Sequence, residues 1–536
     1  MNALPSKRIT CILVTACFVV VALLSAMPLK AAELTSSEKN GKQLYLTGTG
    51  ASGAAIKASL GEGVRRLELP GEAAVCGSCH GKDGAGRPES GVLPSNITWK
   101  YLTRSYGHVH ARGLEHAAFT KESLKRYIKT GTYPNGRKGD SAMPVYEIPD
   151  DDLDDLVAYL KRVGEIRDPG LSDTAIKLGT ILPSGGSLGG IGTVIRDVLE
   201  AYFRDVNQTG GIYGRRLELV VREIPTAREP ALEMVDNWLD EEQPFALVSP
   251  FTPRIDFEVQ SLLSGNEVPV IAPFTLYAIR TFVLNRYVFY LYPGLGEQVD
   301  ALVQFAAVQL ELSNPRIAVL YPDENSLTKV IDALEKTVRK QGWKEIRREA
   351  FPVDGFDAVT TVKALHQAGI DVVISLGVEP ELQAFLREAD ERKWWPHVLA
   401  TGALSGGALF EAPPGFEKRL YMAYPTLPQD RKPWALRDVS RLLAGNETAR
   451  SHVQAVVSAY ASARVLVEAL RRAGKDPGRL RLTGELEKLY EFETGLTPPV
   501  TFTSNRRIGA RGAYVIGAGS LVEGRLPESV AWVDVK

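Results

Sequence analysis

Residues 76–80 read Cys76-Gly77-Ser78-Cys79-His80, a Cys-x-x-Cys-His sequence. This spacing is the signature of covalent attachment of a c-type haem. Two thiols three positions apart can each form a thioether with a porphyrin vinyl group, and the next residue places an imidazole below the iron. A zinc site would need more Cys or His ligands nearby, but the remaining cysteines, Cys11 and Cys17, belong to the N-terminal segment. The motif therefore predicts one haem c, held by Cys76, Cys79 and His80.

The iron of a c-type haem commonly takes a second axial ligand, usually Met or His. Met143, in Ala142-Met143-Pro144, is the only methionine between the motif and residue 234. The proline after it favours an extended backbone, which suits a loop laid over one haem face. We therefore expect His80 and Met143 to be the two iron ligands. The alternative is ligation by a second histidine, for which the candidates are His108, His110 and His116.

The N-terminal segment, residues 1–32, reads as a signal for export. Lys7 and Arg8 give a positive start, an apolar run follows from Ile9 to Ala26, and small residues stand at Ala31 and Ala32. This order is typical of a signal peptide. Because the apolar run is long for a signal peptide, an uncleaved membrane anchor is the alternative. We expect the protein in the bacterial periplasm, either free or anchored by this segment.

The composition is that of a soluble globular protein. The 536 residues are 44% hydrophobic and 24% charged, with a formal net charge of −1. A length of this kind indicates several lobes or domains. The near-neutral charge gives no basis for attracting a polyanion, so we expect no nucleic-acid partner.

The residues around the motif show short helical patterns. The predicted helices are Lys42–Leu46, Lys121–Lys129 and Asp151–Val163. With them, residues 34–165 resemble class I cytochrome c. The resemblance rests on Gly41 and Tyr45, on the 76–80 motif, on Arg126-Tyr127-Ile128 and Gly131, on Met143-Pro144, and on Leu156, Tyr159 and Leu160. It implies an all-α domain whose first and last helices cross at the Gly and aromatic positions.

A turn-rich linker, residues 166–175, separates this part from a second pattern. From residue 176 to 535, short apolar runs alternate with amphipathic helices, which predicts βαβ units and parallel sheet. The predicted strands are Ile176–Ile181, Leu217–Arg222, Phe245–Val248, Pro269–Ala272, Ile317–Tyr321 and Val372–Leu376. The segment is too long for one doubly wound sheet, so we expect two α/β lobes.

Residues 207–220, Asn-Gln-Thr-Gly-Gly-Ile-Tyr-Gly-Arg-Arg-Leu-Glu-Leu-Val, are the most informative stretch of this second part. Here the sequence resembles the type I periplasmic solute-binding proteins of the leucine/isoleucine/valine-binding kind. Further support comes from Ile176–Gly179, Ala318–Tyr321 and Gly512–Val515. The resemblance implies that a small molecule binds in a cleft between the lobes, at strand ends and helix N-termini.

The ligand contacts that this resemblance implies are Ser249, Thr252, Phe274 and Thr275. The loop Gly185–Gly189 should also approach the cleft. The sequence departs from the family pattern at Leu276, at Asn325-Ser326 and at Gly402-Ala403, where the acidic residue that pairs with an ammonium group is absent. Losing such a partner would weaken the binding of a zwitterion. We therefore do not expect a plain branched-chain amino acid as the ligand.

Three functions are compatible with the combination of a haem and a solute-binding pattern. The interpretation that we favour is a periplasmic electron-transfer protein whose small-molecule-binding domain gates or docks electron transfer to a periplasmic redox partner. The alternative is a solute receptor for an ABC permease or a sensor, with the haem as an accessory redox group. An enzyme is not expected and no catalytic residue is assigned, because a haem with two axial ligands has no open position.

Overall fold

The computed structural model describes residues 34–61, 66–86, 94–109, 115–165, 167–225, 227–278, 286–344, 346–353, 355–521, 525–527, 530 and 532–535. The predicted export segment, residues 1–32, and His110 lie outside them. The chain divides into two compact units, one ending at Arg167 and the other beginning at Asp168. The division falls inside the stretch 166–175 that the sequence marks as a linker.

The first unit is mainly helical. Its helices are α1 (Ser36–Thr47), α2 (Cys76–His80), α3 (Trp99–Leu102), α4 (Lys121–Thr130) and α5 (Asp150–Leu160). Its strands are β1 (Lys57–Leu60), β2 (Leu67–Pro70), β3 (His108–Val109), β4 (Glu115–His116) and β5 (Val145–Glu147). Strand β1 pairs antiparallel with both β2 and β5, and β3 pairs with β4. These small sheets were not predicted from the sequence.

Helices α1 and α5 form the main packing contact of this unit. Helix α1 begins at a capping box, in which Thr35 Oγ1 accepts from the Glu38 N–H and the Glu38 carboxylate accepts from the Thr35 N–H. The Tyr45 and Tyr159 rings meet with centroids 5.3 Å apart. At the crossing, a Cβ on Gly41 would lie 1.9 Å from the Asp155 carbonyl oxygen. The absence of a side chain at Gly41 therefore permits the close approach of the two helices.

We expect Gly41→Val to destabilise the first unit by about 1–3 kcal/mol or more, because the added atoms must push the Asp155 backbone away. Thermal unfolding followed at the haem absorption would measure the loss. Gly296→Ala is the control, because nothing lies within 4 Å of the position that its Cβ would take. A Gly41→Val protein with the wild-type unfolding temperature would contradict the close crossing.

The first lobe of the second unit is a parallel five-stranded sheet in the order β10-β9-β8-β6-β7. Its strands are β6 (Ala175–Pro183), β7 (Arg216–Ile224), β8 (Ala246–Val248), β9 (Val270–Ile271) and β10 (Val288–Phe289). The helices that cover it are α6 (Gly189–Gln208), α7 (Arg228–Glu242), α8 (Asp256–Gly265), α14 (Pro433–Leu442), α15 (Glu447–Ser451), α16 (Val453–Ala473) and α17 (Arg479–Leu486).

The second lobe is a seven-stranded sheet in the order β12-β11-β13-β14-β15-β16-β17, with β16 and β17 antiparallel to their neighbours. Its strands are β11 (Ile317–Pro322), β12 (Ile346–Phe351), β13 (Val372–Ser375), β14 (His397–Thr401), β15 (Leu420–Tyr424), β16 (Gly512–Gly517) and β17 (Trp532–Asp534). Its helices are α9 (Leu295–Val308), α10 (Asn325–Lys340), α11 (Ala358–Gln367), α12 (Glu379–Glu391) and α13 (Gly402–Ser405). The chain crosses between the lobes after β10, after β15 and before β16.

Helix α16 runs through the core of the first lobe. Within the part of the chain that the structure describes, it alone is long and apolar enough to cross a membrane. Most of it is buried among the other elements of the lobe, including the fully buried Tyr460 and Leu466. Burial of this kind is typical of the core helix of a globular domain.

Candidate functional site

The first unit contains a cavity of about 650 Å³, and the Cys-x-x-Cys-His helix α2 forms part of its wall. Cys76, Cys79, His80 and Met143 all line it. The rest of its wall is mostly apolar and aromatic and includes Tyr45, Leu102, Phe119, Leu124, Ile128, Tyr146 and Leu156. A volume of this order is typical of cofactor sites. The sequence-predicted haem residues are therefore brought together around one apolar cavity.

His80 is oriented for metal ligation. Its side chain is 7% exposed, and its Nδ1 lies 2.8 Å from the Ser95 carbonyl oxygen. If Nδ1–H donates to this carbonyl, Nε2 carries a lone pair for iron. Burial lowers the pKa of the imidazole, while the Ser95 hydrogen bond opposes the shift. The net result favours the neutral form, which is the form that binds a metal.

The apolar wall also acts on the thiol of Cys76. Desolvation raises the pKa of the Cys76 thiol to about 11, with the neighbouring Cys79 adding to the shift. A thiol of this kind is not a reactive thiolate at neutral pH. The Cys76 thiol therefore lacks the lowered pKa that is typical of a redox-active Cys-x-x-Cys motif. The residues present fit a covalently held haem.

Met143 and two of the competing histidines line the same cavity. The His108 and His116 rings face each other across β3 and β4 with centroids 4.9 Å apart. His116 also stacks on Tyr133 at 4.4 Å, and His108 meets Tyr101 at 4.2 Å. Burial lowers the pKa of His116. Met143 and the histidines that compete with it as the second iron ligand therefore all border the cavity. The choice of Met143 stays a prediction.

In the second unit, the expected ligand contacts follow the carboxyl ends of β8 and β9, where parallel sheets bind ligands. Thr252 is buried and Thr275 half-buried. Phe274 is half-buried and meets Phe251 edge to face, with ring centroids 5.1 Å apart. Ser249 differs, because its fully buried hydroxyl lies 2.6 Å from that of Ser462 in α16. Ser249 therefore belongs to the core of the lobe rather than to a ligand-facing surface.

Sequence reasoning missed Asp256, the first residue of α8. Thr252 Oγ1 donates to its Oδ1 at 3.1 Å, and Thr275 lies in the loop that follows the neighbouring strand β9. Burial raises its pKa to about 7, while the two threonines partly oppose the shift. The signal in the sequence is only a Thr and an Asp four residues apart at a helix start, which is also a common capping pattern.

The two lobes touch near this group. Tyr277, which follows β9, donates its hydroxyl hydrogen to Ser326 Oγ in the first turn of α10 at 3.1 Å. The Lys329 ammonium group lies 4.5 Å from the Phe257 ring centroid. Ser326, at a position where the sequence departs from the pattern of the binding-protein family, thus supplies a contact between the lobes.

The loop Gly185–Gly189 follows β6, the strand that lies beside β8 in the sheet. It borders a concavity of about 340 Å³, together with Arg196 and Glu223. The Arg196 guanidinium and the Glu223 carboxylate form an ion pair at 2.9 Å.

Family comparisons agree with both units. The model of the family "Periplasmic binding protein" matches residues 175–519, and that of "Cytochrome c" matches residues 72–164. The chain belongs to the periplasmic binding protein family and carries a cytochrome c domain. The predicted combination of the two is thereby confirmed.

The relatives of this family member are distant. "Leu/Ile/Val-binding protein homolog 8" of Brucella abortus is 25% identical over 242 residues, which are 42% of this chain and 58% of that protein. "Leu/Ile/Val-binding protein homolog 7" of Brucella suis is 23% identical over 243 residues, which are 44% of this chain and 60% of that protein. The chain thus spans about three fifths of the length of these relatives.

Solved structures show the same fold for the binding domain. A branched-chain amino acid ABC transporter protein from Thermus thermophilus with bound valine has a TM-score of 0.53 at 15% identity, covering 67% of this chain and 96% of that one. A fatty acid ABC transporter substrate-binding protein from Thermomonospora curvata has a TM-score of 0.51 at 17% identity, covering 69% and 94%. At this identity the likeness concerns the fold alone.

Asp256 makes the stability of the binding domain depend on pH. Its pKa is raised in the folded state, so the folded domain holds more protons than the unfolded one between about pH 4 and pH 7, and stability falls as pH rises through that window. We expect Asp256→Asn to stabilise the domain at pH 8, by an amount on the order of a few kcal/mol, and to change little at pH 4. Calorimetry at both pH values, with Glu258→Gln as the control, measures this. A destabilised variant at pH 8 would contradict the burial argument.

Proposed function

We propose that this chain is a periplasmic electron-transfer protein with one haem c, and that its binding domain takes a small molecule and gates or docks electron transfer. The observation that carries the proposal is the presence of donors for both axial positions, His80 and Met143, around one cavity with both attachment cysteines. When bound, the haem supplies a reversible one-electron couple. Two protein ligands leave no position for a substrate, so we propose no enzymatic activity.

The surrounding residues support the electron-transfer role in specific ways. Cys76 and Cys79 would fix the group covalently, and the Ser95 carbonyl would orient the His80 ring. Met143 would raise the reduction potential relative to a second imidazole. The mostly apolar wall would lower the local polarity around the group and so favour its less charged reduced state.

The binding domain has a second candidate role. Similar structures are named as parts of ABC transporters, for example the proteins that bind valine and fatty acids. This supports the alternative that the chain is a solute receptor for an ABC permease or a sensor, with the haem as an accessory group. We favour electron transfer because covalent haem attachment serves no need of a passive receptor.

Membership of both families favours a periplasmic location. Residues 1–32 would direct the export and, if uncleaved, would anchor the protein in the membrane. N-terminal sequencing of the mature protein separates the two outcomes.

The electron-transfer role is tested by a spectroscopic redox titration of the purified holoprotein. We expect one haem per chain, a single reversible one-electron transition, and no spectral change when carbon monoxide is added to the ferrous protein. Rapid binding of carbon monoxide would contradict the proposal, because it requires an open coordination position.

Gating is tested after a ligand has been found by a thermal-shift screen of the holoprotein against amino acids, organic acids, alcohols and aromatic acids. A ligand at a hundredfold excess over its Kd should add about 2.7 kcal/mol of stability. The midpoint potential and the rate of electron transfer are then compared with and without ligand. If the potential and the rate are the same with and without ligand, gating is contradicted and the receptor alternative is favoured.

A further inference from the structure

Two buried histidines, His108 and His116, here called the histidine pair, lie directly opposite each other on the antiparallel strands β3 and β4. Each side chain is 6% exposed, and both border the cavity of the first unit. Their ring centroids are 4.9 Å apart. Two imidazoles side by side in a mostly apolar wall give this part of the cavity a polar character.

Aromatic packing holds the histidine pair in place. The His116 ring stacks on that of Tyr133, with centroids 4.4 Å apart and an interplanar angle of 15°, and Tyr133 stacks on Tyr127 at 4.6 Å. On the other side, the Tyr101 ring lies 4.2 Å from that of His108. All these rings line the same cavity. Because each imidazole is packed between neighbours, its orientation is set before a partner binds, which lowers the entropic cost of binding.

The hydrogen-bonding capacity of the histidine pair suits an anion. His116 Nδ1 lies 2.7 Å from the Ala117 carbonyl oxygen, and because a carbonyl oxygen only accepts, Nδ1 carries a hydrogen. A carboxylate beside Nε2 of this ring would favour a second proton there, which gives a charge-assisted hydrogen bond. The His108 imidazole carries at least one N–H in either protonation state.

The charges of the described cavity wall also favour the histidine pair as the place for an anion. Among the described residues that line the cavity, none is Lys or Arg, and His80 is the proposed iron ligand. Asp140 is the one carboxylate among them, and its Oδ1 accepts the Ala142 N–H at 3.0 Å. Beyond the wall, the Arg104 guanidinium lies 4.1 Å from the Tyr101 ring centroid, which adds positive charge next to the pair.

A haem presents two anionic groups to such a cavity. Its propionate carboxylates stand on the edge of the macrocycle opposite the two vinyl groups. Thioether bonds to Cys76 and Cys79 would fix the vinyl edge at α2, and the histidine pair belongs to other elements, β3 and β4. Carboxylates in a mostly apolar cavity need hydrogen bonds or opposite charges to offset their lost hydration.

We propose that the histidine pair binds the propionate carboxylates of the haem, with each ring donating a hydrogen bond from a nitrogen atom. The inference rests on the proposed haem-binding function and names the residues that hold the anionic edge of the group. It gives His108 and His116 a role other than iron ligation, in agreement with Met143 as the second axial ligand. Pairing the carboxylates would also raise the reduction potential, because it offsets negative charge near the iron.

The variants His108→Phe and His116→Phe test the role of the ring nitrogens. Phenylalanine keeps a flat ring in the aromatic packing but cannot donate a hydrogen bond. We expect each variant to lower the ratio of reduced to oxidised haem at a fixed potential by about tenfold, which is about 59 mV for one electron. A spectroscopic redox titration of the purified holoproteins measures the shift. Wild-type potentials in both variants would overturn the proposal.

Two kinds of control accompany these variants. His108→Gln and His116→Gln keep a hydrogen-bond donor, so each should show less than about half of the shift of its phenylalanine counterpart. His366→Gln replaces an exposed histidine of the second lobe and should leave the potential unchanged. The ferrous phenylalanine variants should not bind carbon monoxide. Rapid binding in either would identify that histidine as an iron ligand and so overturn its assignment to a propionate.

A measurement on the wild type decides the question if a phenylalanine variant does not retain haem. The reduced holoprotein is prepared with ¹⁵N-labelled histidine, and the signals of the histidine pair are assigned with the glutamine variants. We expect nuclear Overhauser contacts between the ring hydrogens of the pair and the propionate methylene groups. Contacts to the opposite, thioether-bearing edge of the haem, or no contact to the propionates, would overturn the proposal.

Failure of this inference is distinguishable from failure of the proposed function. A wild-type protein without a reversible one-electron transition, or one that binds carbon monoxide, would contradict electron transfer whatever the histidine pair contacts. A wild-type protein with the expected transition, together with unchanged potentials in both phenylalanine variants, would keep the function and reject only the role of the pair.

Discussion

His80→Ala is expected to yield a protein with at least about tenfold less bound haem than the wild type. Changes to residues that only orient a metal ligand already cost about 10–100-fold in metal affinity, and His80 is the proposed ligand itself. Without the group, the cavity of about 650 Å³ would leave the side chains that line it without packing partners. The ratio of haem absorption to protein absorption in the purified variant measures the loss.

The matched control for this variant is Ser78→Ala. Ser78 lies between the two attachment cysteines and is exposed. Its hydroxyl is not a proposed haem ligand, so removing it should not change haem binding. It should retain the haem and the spectrum of the wild type. If His80→Ala kept the full haem content, another residue would have to be the ligand, with His108 or His116 as the candidates that line the cavity.

The binding domain should survive the loss of haem. Its two lobes have hydrophobic cores of their own, built around α16 in the first lobe and α9 in the second. Calorimetry of His80→Ala should therefore retain the unfolding transition of this domain while the transition of the cytochrome c domain is lost. Such a result would also establish that the two units unfold separately.

The cytochrome c domain and its attachment motif could be predicted from sequence because the determinants of that motif are local. Cys76, Cys79 and His80 are neighbours in the chain, whereas Met143 is distant from them and its role as a ligand stays a prediction. Local determinants also mark strands such as β6 and β11, whose apolar runs stand between turn residues. Where spacing alone carries the chemistry, no tertiary information is needed.

The ligand cleft could not be predicted in the same way. Ser249 has the residue type of a ligand contact, but its partner Ser462 lies 213 residues further along the chain. Asp256 has the residue type of an exposed helix-capping residue, and only the fold shows that its carboxyl group is buried beside Thr252. A hydroxyl or carboxyl group is equally suited to the core, to a cap and to a ligand, and the fold decides among them.

Polar edge strands were missed for a related reason. Strand β12 (Ile346–Phe351) contains Arg347, Arg348 and Glu349 and lies at the edge of the second sheet. Edge strands tolerate and often require charged residues, which hide the apolar alternation that marks a strand. Arg348 bonds both Asp332 and Glu335 of α10, so its charge serves the packing of a neighbouring helix.

Met143→Ala is expected to lower the midpoint potential by on the order of 100 mV and to make the ferrous protein bind carbon monoxide. A thioether ligand stabilises the reduced iron relative to a nitrogen or oxygen ligand, and axial ligands shift haem potentials over a range of about 0.8 V. Removing Met143 opens one coordination position, to which water or carbon monoxide can bind. A redox titration and a carbon monoxide difference spectrum measure the two effects.

Met143→His separates potential from coordination number. With two imidazole ligands the potential should fall as in the alanine variant, but the iron should stay closed to carbon monoxide. Met234→Leu, a methionine exchange in the binding domain, should leave both properties unchanged. If Met143→Ala kept the wild-type potential and His116→Ala lost it, the second-histidine alternative would replace Met143, since both side chains line the same cavity.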